Sequence, residues 1–372
     1  MKNFITLILK PTSDCNFRCA YCYHADTHYQ SGFMSYDILE KTIKAVQAEY
    51  HTISYVWHGG EPLLCGMDFF KKALALQKKY LNDNKIINSV QSNGSLLDDE
   101  YIAFFKENDF SVCVSFDGEG RSNSLREQTE LVYQKILYAK KNDLPIAALS
   151  VVNANNVDKV IENYKFFKAI DVHTKFNPIF ASTGIDCSEY LITSEQYSET
   201  MINLFEYMLN DKEPFKVEPI FEYINMYFGL PGRECIYESC LMHWLGITSD
   251  GSLYPCGRSY TGEYRLGNIL DFDKVSDVFL TESYVNLMKQ SITRRSVCQS
   301  NCEYYGLCHG GCNNNCLIEA KQDARDTFMC KAFQTIYSHI RNRLDQIVAN
   351  NTEVVNPHLN KLIQAKRKKT EK

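Results

Sequence analysis

Cys15-Asn16-Phe17-Arg18-Cys19-Ala20-Tyr21-Cys22 follows closely on a β-branched and aliphatic run, Phe4 to Leu9. Three thiols within eight residues, on a loop after a strand, are near enough to converge on one metal centre. A closed zinc or electron-transfer site takes four protein ligands, so three leave one metal position for a ligand from outside the chain.

Working outward, apolar runs alternate with stretches of helical period as far as about Pro178. Six strands are read: Phe4–Leu9, Ile53–Trp57, Ile86–Gln91, Ser111–Phe116, Pro145–Val152 and Val172–Ile179, with helices such as Tyr36–Tyr50 and Leu125–Lys141 between them. Repeated βα units predict an α/β fold with a parallel sheet, doubly wound or curled into a barrel. The residues that do chemistry then belong at the carboxyl ends of the strands. The triad follows strand one, Gly59-Gly60-Glu61-Pro62 strand two, Gln91-Ser92-Asn93-Gly94 strand three, and Ser115-Phe116-Asp117-Gly118 closes strand four, so these loops share one mouth.

The chain has 372 residues and a formal net charge of -5 spread over both halves, so no general basic field invites nucleic acid. No apolar stretch approaches the roughly 18 residues that span a bilayer, and no signal peptide precedes Phe4, which predicts a cytoplasmic protein without membrane contact. Fifteen cysteines in a reducing compartment speak for metal ligation over disulfides. Three fall between Cys15 and Cys22 and nine between Cys235 and Cys330; of the rest, Cys113 reads as a small buried apolar residue, and Cys65 and Cys187 have no assigned role. Gly229-Leu230-Pro231-Gly232 predicts a boundary, dividing the chain into 1–230, 231–335 and a C-terminal helix and basic tail over 336–372. Asp250-Gly251 suits the tight turn of a hairpin over Ile247–Tyr254. The charge run Lys366–Lys369 reads as a solvated end.

The Cys-x3-Cys-x2-Cys spacing, with an aromatic before the last cysteine, resembles the signature of the radical S-adenosylmethionine superfamily. The resemblance implies a partial (β/α)6 TIM-like barrel and a [4Fe-4S] cluster whose open iron binds the cofactor's amino and carboxylate groups. An electron from the cluster then cleaves the sulfonium to a 5'-deoxyadenosyl radical. Gly59-Gly60-Glu61-Pro62 matches the superfamily's second motif, which grips the methionine amino group through closely approaching backbone. By the same resemblance Ser115 and Arg126 contact the methionyl carboxylate and ribose end, Tyr21 and Ile179 lie near the adenine, and Asn93 joins the cofactor contacts.

Cys240-x10-Gly251-x4-Cys256, followed by Cys302-x5-Cys308-x3-Cys312 and Cys330, resembles the SPASM domain of peptide- and protein-modifying radical enzymes. It implies two auxiliary [4Fe-4S] clusters, for three in all: one on Cys235, Cys240, Cys256 and Cys312, with Cys316 a rival for Cys312, and one on Cys298, Cys302, Cys308 and Cys330. Cys298-x3-Cys302 is one residue longer than the usual opening pair. The whole chain resembles the anaerobic sulfatase maturases and related peptide maturases. Sulfatase maturases oxidise a Cys or Ser side chain to formylglycine, with an aspartate after the third ligand of the first auxiliary cluster as proton acceptor. Here that position is Gly257, so His24, Tyr260 or Glu263 must substitute or the reaction must differ.

The favoured expectation is therefore a maturase that closes thioether or carbon-carbon crosslinks in a ribosomally made peptide. Formylglycine formation with a displaced base stands second, and a non-enzymatic iron-sulfur or zinc protein third. Either enzymatic reading implies a peptide or protein substrate and an external one-electron reductant of flavodoxin or ferredoxin type. With strand one beginning at about Phe4, a crosslinking enzyme has no room for an N-terminal leader-binding module. It calls for a separate leader-binding protein, or for the mouth and its aromatic surroundings at Tyr223, Tyr227 and Phe228, which read as core more than as peptide site.

Overall fold

The structure, a computed structural model, describes residues 2–24, 31–180, 186–232, 234–237, 240–258, 262–319, 324–350 and 352–370. Its spine is one sheet. Strands β1 (Lys2–Leu9), β2 (Tyr50–Trp57), β3 (Lys85–Ser92), β4 (Ser111–Ser115), β5 (Ile146–Val152), β6 (His173–Pro178) and the short β7 (Val217–Glu218) lie side by side in chain order, each parallel to the next. Sequential order with parallel pairing is the topology of a barrel wall and not of a doubly wound sheet, in which the order reverses at a switch point.

Helices α1 (Tyr36–Lys44), α2 (Met67–Tyr80), α3 (Asp99–Glu107), α4 (Thr129–Lys141), α5 (Val160–Ala169) and α6 (Ser194–Leu209) fill the crossovers and the connection to β7. Alternate strand residues such as Ile53, Tyr55 and Trp57 are fully buried, with Trp57 edge-on to Phe69 and Phe70 of α2. The intervening positions, among them Ser89, Gln91, Cys113, Ser115, Lys175 and Asn177, are half-buried on the opposite, concave face. Cys113 is thus on the lumen side of its strand and not in the apolar layer expected for it. Predicted helix Tyr36–Tyr50 is shorter than expected because its last residue, wholly buried Tyr50, opens β2 in register with Lys2.

Beyond the predicted boundary, β8 (Trp244–Ile247) and β9 (Ser252–Tyr254) form the expected hairpin, and β10 (Gly267–Asn268) pairs antiparallel with β9. Gly251 sits at φ +82° in the turn, and the Asp250 carboxylate accepts from the Thr248 and Ser252 hydroxyls at 2.6 and 2.8 Å. β8 pairs parallel with β1, Leu9 opposite Ile247, so the cysteine-rich region continues the barrel's own sheet to ten strands. That pairing carries Cys256 toward the triad.

The helix Phe328–Ala349 runs through the 335/336 division and lays Ile336, Ile340, Leu344 and Ile347, all buried, across α6. The segment Pro357–Thr370 is helical as well, and Lys366 places its ammonium 3.4 Å from the centroid of the Tyr227 ring, so this charge of the basic run is partly buried. Tyr223 is wholly buried and Tyr227 nearly so, packed with Tyr237, Phe333 and Phe228 as core.

Candidate functional site

Loop one and loop two are laced together at the mouth by main-chain hydrogen bonds: Gly60 N donates to Thr12 O at 3.0 Å and Glu61 N to Asp14 O at 2.8 Å. A Cβ on Gly59 would stand 2.3 Å from Thr12 O, and one on Gly60 2.1 Å from Asp14 O. These two glycines, Gly59 at φ +124°, therefore permit a close approach to the cysteine loop's own backbone. Pro62 then opens a short 3-10 turn through Cys65.

Glu61 has no exposure, and its carboxylate accepts from Leu63 N at 3.0 Å, Ser92 Oγ at 2.9 Å and Asn93 N at 2.7 Å. Burial pushes its pKa up to about 7 against the pull of those hydrogen bonds. Loop three joins through Asn93, whose amide donates to Asn16 Oδ1 at 2.8 Å and approaches the Cys15 sulfur at 3.8 Å. Cys15 also receives Phe17 N at 3.4 Å, and burial pushes its thiol up to about 11 and that of Cys19 upward too. Thiols so disposed must exchange protons for metal on binding it.

Loop four supplies a buried ion pair. Asp117, without exposure, accepts from Val151 N at 2.8 Å and from the Tyr21 hydroxyl, and lies 3.0 Å from Arg126 Nε. Arg126 stacks over the Tyr21 ring at 5.2 Å and feels the charge of Cys19. Ser115 accepts from Gln91 Nε2 at 2.9 Å across β3 and β4, and Ile179, buried, closes the far side with its N–H on Val152 O. Sequence reasoning missed Asp117, although an acidic residue just after a buried strand is a signal in itself.

A second group lies between the cysteine regions. Lys10, only 5% exposed at the end of β1, approaches His24 Nε2 at 3.4 Å and stands 5.8 Å from the Tyr23 ring. His24 packs at a tilt against Tyr23 and His58, with centroids at 4.3 and 5.3 Å. Burial holds Lys10 and His24 well below their ordinary ranges and His58 at about 3. The Lys10 ammonium feels both Cys256 and Cys22, which places it between the triad and the hairpin cysteine. Of the three proposed bases, His24 belongs to this group, Glu263 is exposed on the turn Gly262–Tyr264, and Tyr260 falls outside the described residues. Lys10, Tyr23 and His58 were not anticipated; a lysine ending an apolar strand was the available signal.

In the cysteine-rich region the Cys235 thiol feels Cys312, Cys256 and Cys240, and burial drives the proton affinities of Cys235, Cys240 and Cys256 upward. Cys298, Cys302, Cys308 and Cys330 line one pocket that opens partly to solvent. Cys312 and Cys316 line it too, and Cys316 packs on Cys298 and Tyr305 while feeling the charge of Cys312, between the two groups of thiols. Among the described residues no three Cys, His, Asp or Glu side chains are placed to share a single metal ion. The thiols are instead spread around a space, as a multi-iron cluster, which stands between its ligands, requires.

A barrel wall with three loop cysteines at its mouth and a second thiol-rich region joined to its first strand defines a radical S-adenosylmethionine enzyme with an iron-sulfur cluster-binding domain. The sequence model of the Radical SAM superfamily matches residues 9–173, and that of the SPASM iron-sulfur cluster-binding domain matches 235–303. A cysteine-type anaerobic sulfatase-maturating enzyme of Clostridium perfringens is 30% identical over 379 residues, covering 93% of this chain and 99% of the relative. A serine-type enzyme of Bacteroides thetaiotaomicron is 28% identical, covering 91% of this chain and 90% of its own. The solved structure of native anSMEcpe with bound AdoMet and Cp18Cys peptide superposes with a TM-score of 0.78 at 28% identity, over 94% of this chain and 99% of that one. The chain belongs to the anaerobic sulfatase-maturating enzyme family of radical S-adenosylmethionine enzymes. The expectation of a crosslinking peptide maturase is overturned by these end-to-end matches, which fall on the sulfatase-maturating enzymes. The Gly257 substitution that suggested crosslinking changes one side chain, whereas the match spans both cysteine regions.

Proposed function

We propose that this chain oxidises a Cys or Ser side chain of a sulfatase-derived peptide to formylglycine. The observation that carries the reading is the full-length family match joined to the Lys10–Tyr23–His24–His58 group standing between the triad and Cys256. Cys15, Cys19 and Cys22 would hold an iron-sulfur cluster that binds S-adenosylmethionine and gives it one electron, the source of a 5'-deoxyadenosyl radical able to remove one hydrogen atom from the substrate Cβ. A primary alcohol goes to the aldehyde, and a thiol to a thioaldehyde that water hydrolyses to the aldehyde with release of hydrogen sulfide, each by a two-electron oxidation, so one further electron and a proton must leave.

Cys235, Cys240, Cys256 and Cys312 would hold one auxiliary cluster and Cys298, Cys302, Cys308 and Cys330 a second, for three clusters in all, and clusters there would supply a one-electron acceptor for that electron. An external one-electron carrier of flavodoxin or ferredoxin type starts the cycle, and the thiol-rich chain works in the reducing cytoplasm. Gly59, Gly60, Glu61, Pro62 and Asn93 hold the cofactor's loops in register. Arg126 and Ser115 would contact its methionyl carboxylate and ribose end, and Tyr21 and Ile179 would lie near its adenine. Residues 1–230 generate the radical, 231–335 accept the electron, and 336–372 brace the two. Among the described residues no helix is long and apolar enough to cross a membrane.

The proton falls to His24. Gly257 has no acceptor, and a Cβ there would meet Ile8 Cδ1 at 2.7 Å, so Ile8 occupies the space a side chain would need. Anaerobically reconstituted protein is expected to convert a Cys-x-Pro-x-Arg peptide to its aldehyde while releasing 5'-deoxyadenosine. A product without aldehyde removes the reading. Cys22→Ala is expected to abolish 5'-deoxyadenosine release, and Cys308→Ala to retain some release while losing aldehyde. His24→Gln is expected to lower aldehyde formation by roughly 100-fold or more while sparing cofactor cleavage, in the range of a lost proton acceptor.

A further inference from the structure

Arg258 follows Cys256 and Gly257 and turns its guanidinium back into the cysteine-rich region. Its Nη2 donates to the Cys312 sulfur at 3.3 Å and to Asn315 Oδ1 at 2.8 Å, and its main-chain N–H donates to the Cys256 sulfur at 3.4 Å. The guanidinium lies over the Phe180 ring at 4.4 Å, while Nη1 is buried without a hydrogen-bond partner among the described residues. Asn315 is itself 4% exposed, so the anchor is fixed. Arg258 thus touches two of the four thiols and feels a third, Cys235.

A guanidinium is always charged, and its planar fork is held here by an amide and an aromatic face. No conformational freedom remains for it to serve as a mobile substrate clamp. Beyond the Asn315 amide, its polar partners are sulfurs. A cation and N–H donors on cluster sulfurs favour the reduced, more negative state and raise the potential. The other cations nearby are less selective: Arg295 feels Cys240 and Cys308 alike, one from each group, and Lys10 feels Cys22 as well as Cys256.

The geometry points to Arg258 as a residue that tunes the cluster at Cys235, Cys240, Cys256 and Cys312, raising its potential so that it takes the substrate's electron. This rests on the ligand assignment proposed above. In the step concerned, the substrate radical gives one electron to that cluster and one proton to the base. The cluster is reduced by one electron, which it returns to an external one-electron carrier.

The test is a redox titration, followed by electron paramagnetic resonance, of reconstituted full-length protein, with iron counted in every variant. Arg258→Gln is expected to lower the midpoint of one auxiliary signal by at least tenfold in electron affinity, about 59 mV for one electron, and to leave the others in place. Arg258→Lys, which keeps the charge but loses the fork, is expected to shift the same signal by less. If Arg258→Gln does not hold its iron, Asn315→Ala removes the anchor without touching a thiol and is expected to lower that same midpoint by a smaller step. Fully loaded Arg258→Gln, or in its place Asn315→Ala, with every midpoint unchanged overturns the tuning alone. Wild-type protein that binds iron for one cluster only overturns the ligand assignment and the tuning with it.

Discussion

Glu61 shows what a single residue does in this mouth. Its two oxygens collect donors from its own turn and from loop three, so it acts as a brace between loops. Glu61→Gln turns an amide N–H toward a buried donor that had an acceptor, at a cost of about 1–3 kcal/mol, read as a fall in the thermal midpoint. The pH dependence has a defined sign. The folded carboxyl protonates at about 7, above its unfolded value of 4.5, so the folded chain binds this proton more tightly. Stability from Glu61 is complete below the unfolded value and is lost as pH rises through about 7. Thermal midpoints of the wild type are expected to decline from about pH 5 to pH 8 relative to those of Glu61→Gln. Parallel profiles would refute this.

At the scale of elements, the strand ends are tied together by polar side chains and not by apolar packing alone. Asp117 joins the end of β4 to β5 through Val151 and to the cysteine loop through Tyr21, and Arg126 balances its charge. Removing one member of a buried pair leaves the other uncompensated, which costs about 3–5 kcal/mol. Asp117→Asn is expected to lose that much in chemical denaturation and to load less iron at the triad, since Tyr21 lies between Cys19 and Cys22. A loss under about 1 kcal/mol would mean that Arg126 finds water instead. The hairpin is the element most legible beforehand, because Asp250 and Gly251 carry the turn in their own chemistry. Its place beside β1 was not legible, since strand pairing depends on residues more than two hundred positions apart.

Across the whole molecule, the sheet and one long helix make the two cysteine regions a single body. Helix Phe328–Ala349 begins with Cys330 near its amino end and buries Ile340 without exposure against the barrel side. Ile340→Ala is expected to cost about 2–5 kcal/mol, the range for truncating a fully buried aliphatic side chain. If the helix couples the regions as its packing implies, circular dichroism and loss of cluster absorbance will report one shared transition, shifted downward. Two separated transitions would show that the cysteine-rich region melts on its own.

The sequence by itself determined the repeated βα pattern, the three-thiol loop, the glycine loop and the crowding of cysteines after residue 230, because periodicity and short spacings are local properties. It pointed to the wrong reaction, since the glycine at position 257 is a local departure within a resemblance spread over the whole length. Only the tertiary structure decided that β8 extends the barrel sheet, that Gly59 and Gly60 make room for Thr12 and Asp14, and that Lys10, His24 and Arg258 come to stand between thiols far apart in the chain. Those relations depend on which surfaces meet when strands pair and side chains lose water, and no window of sequence contains both partners.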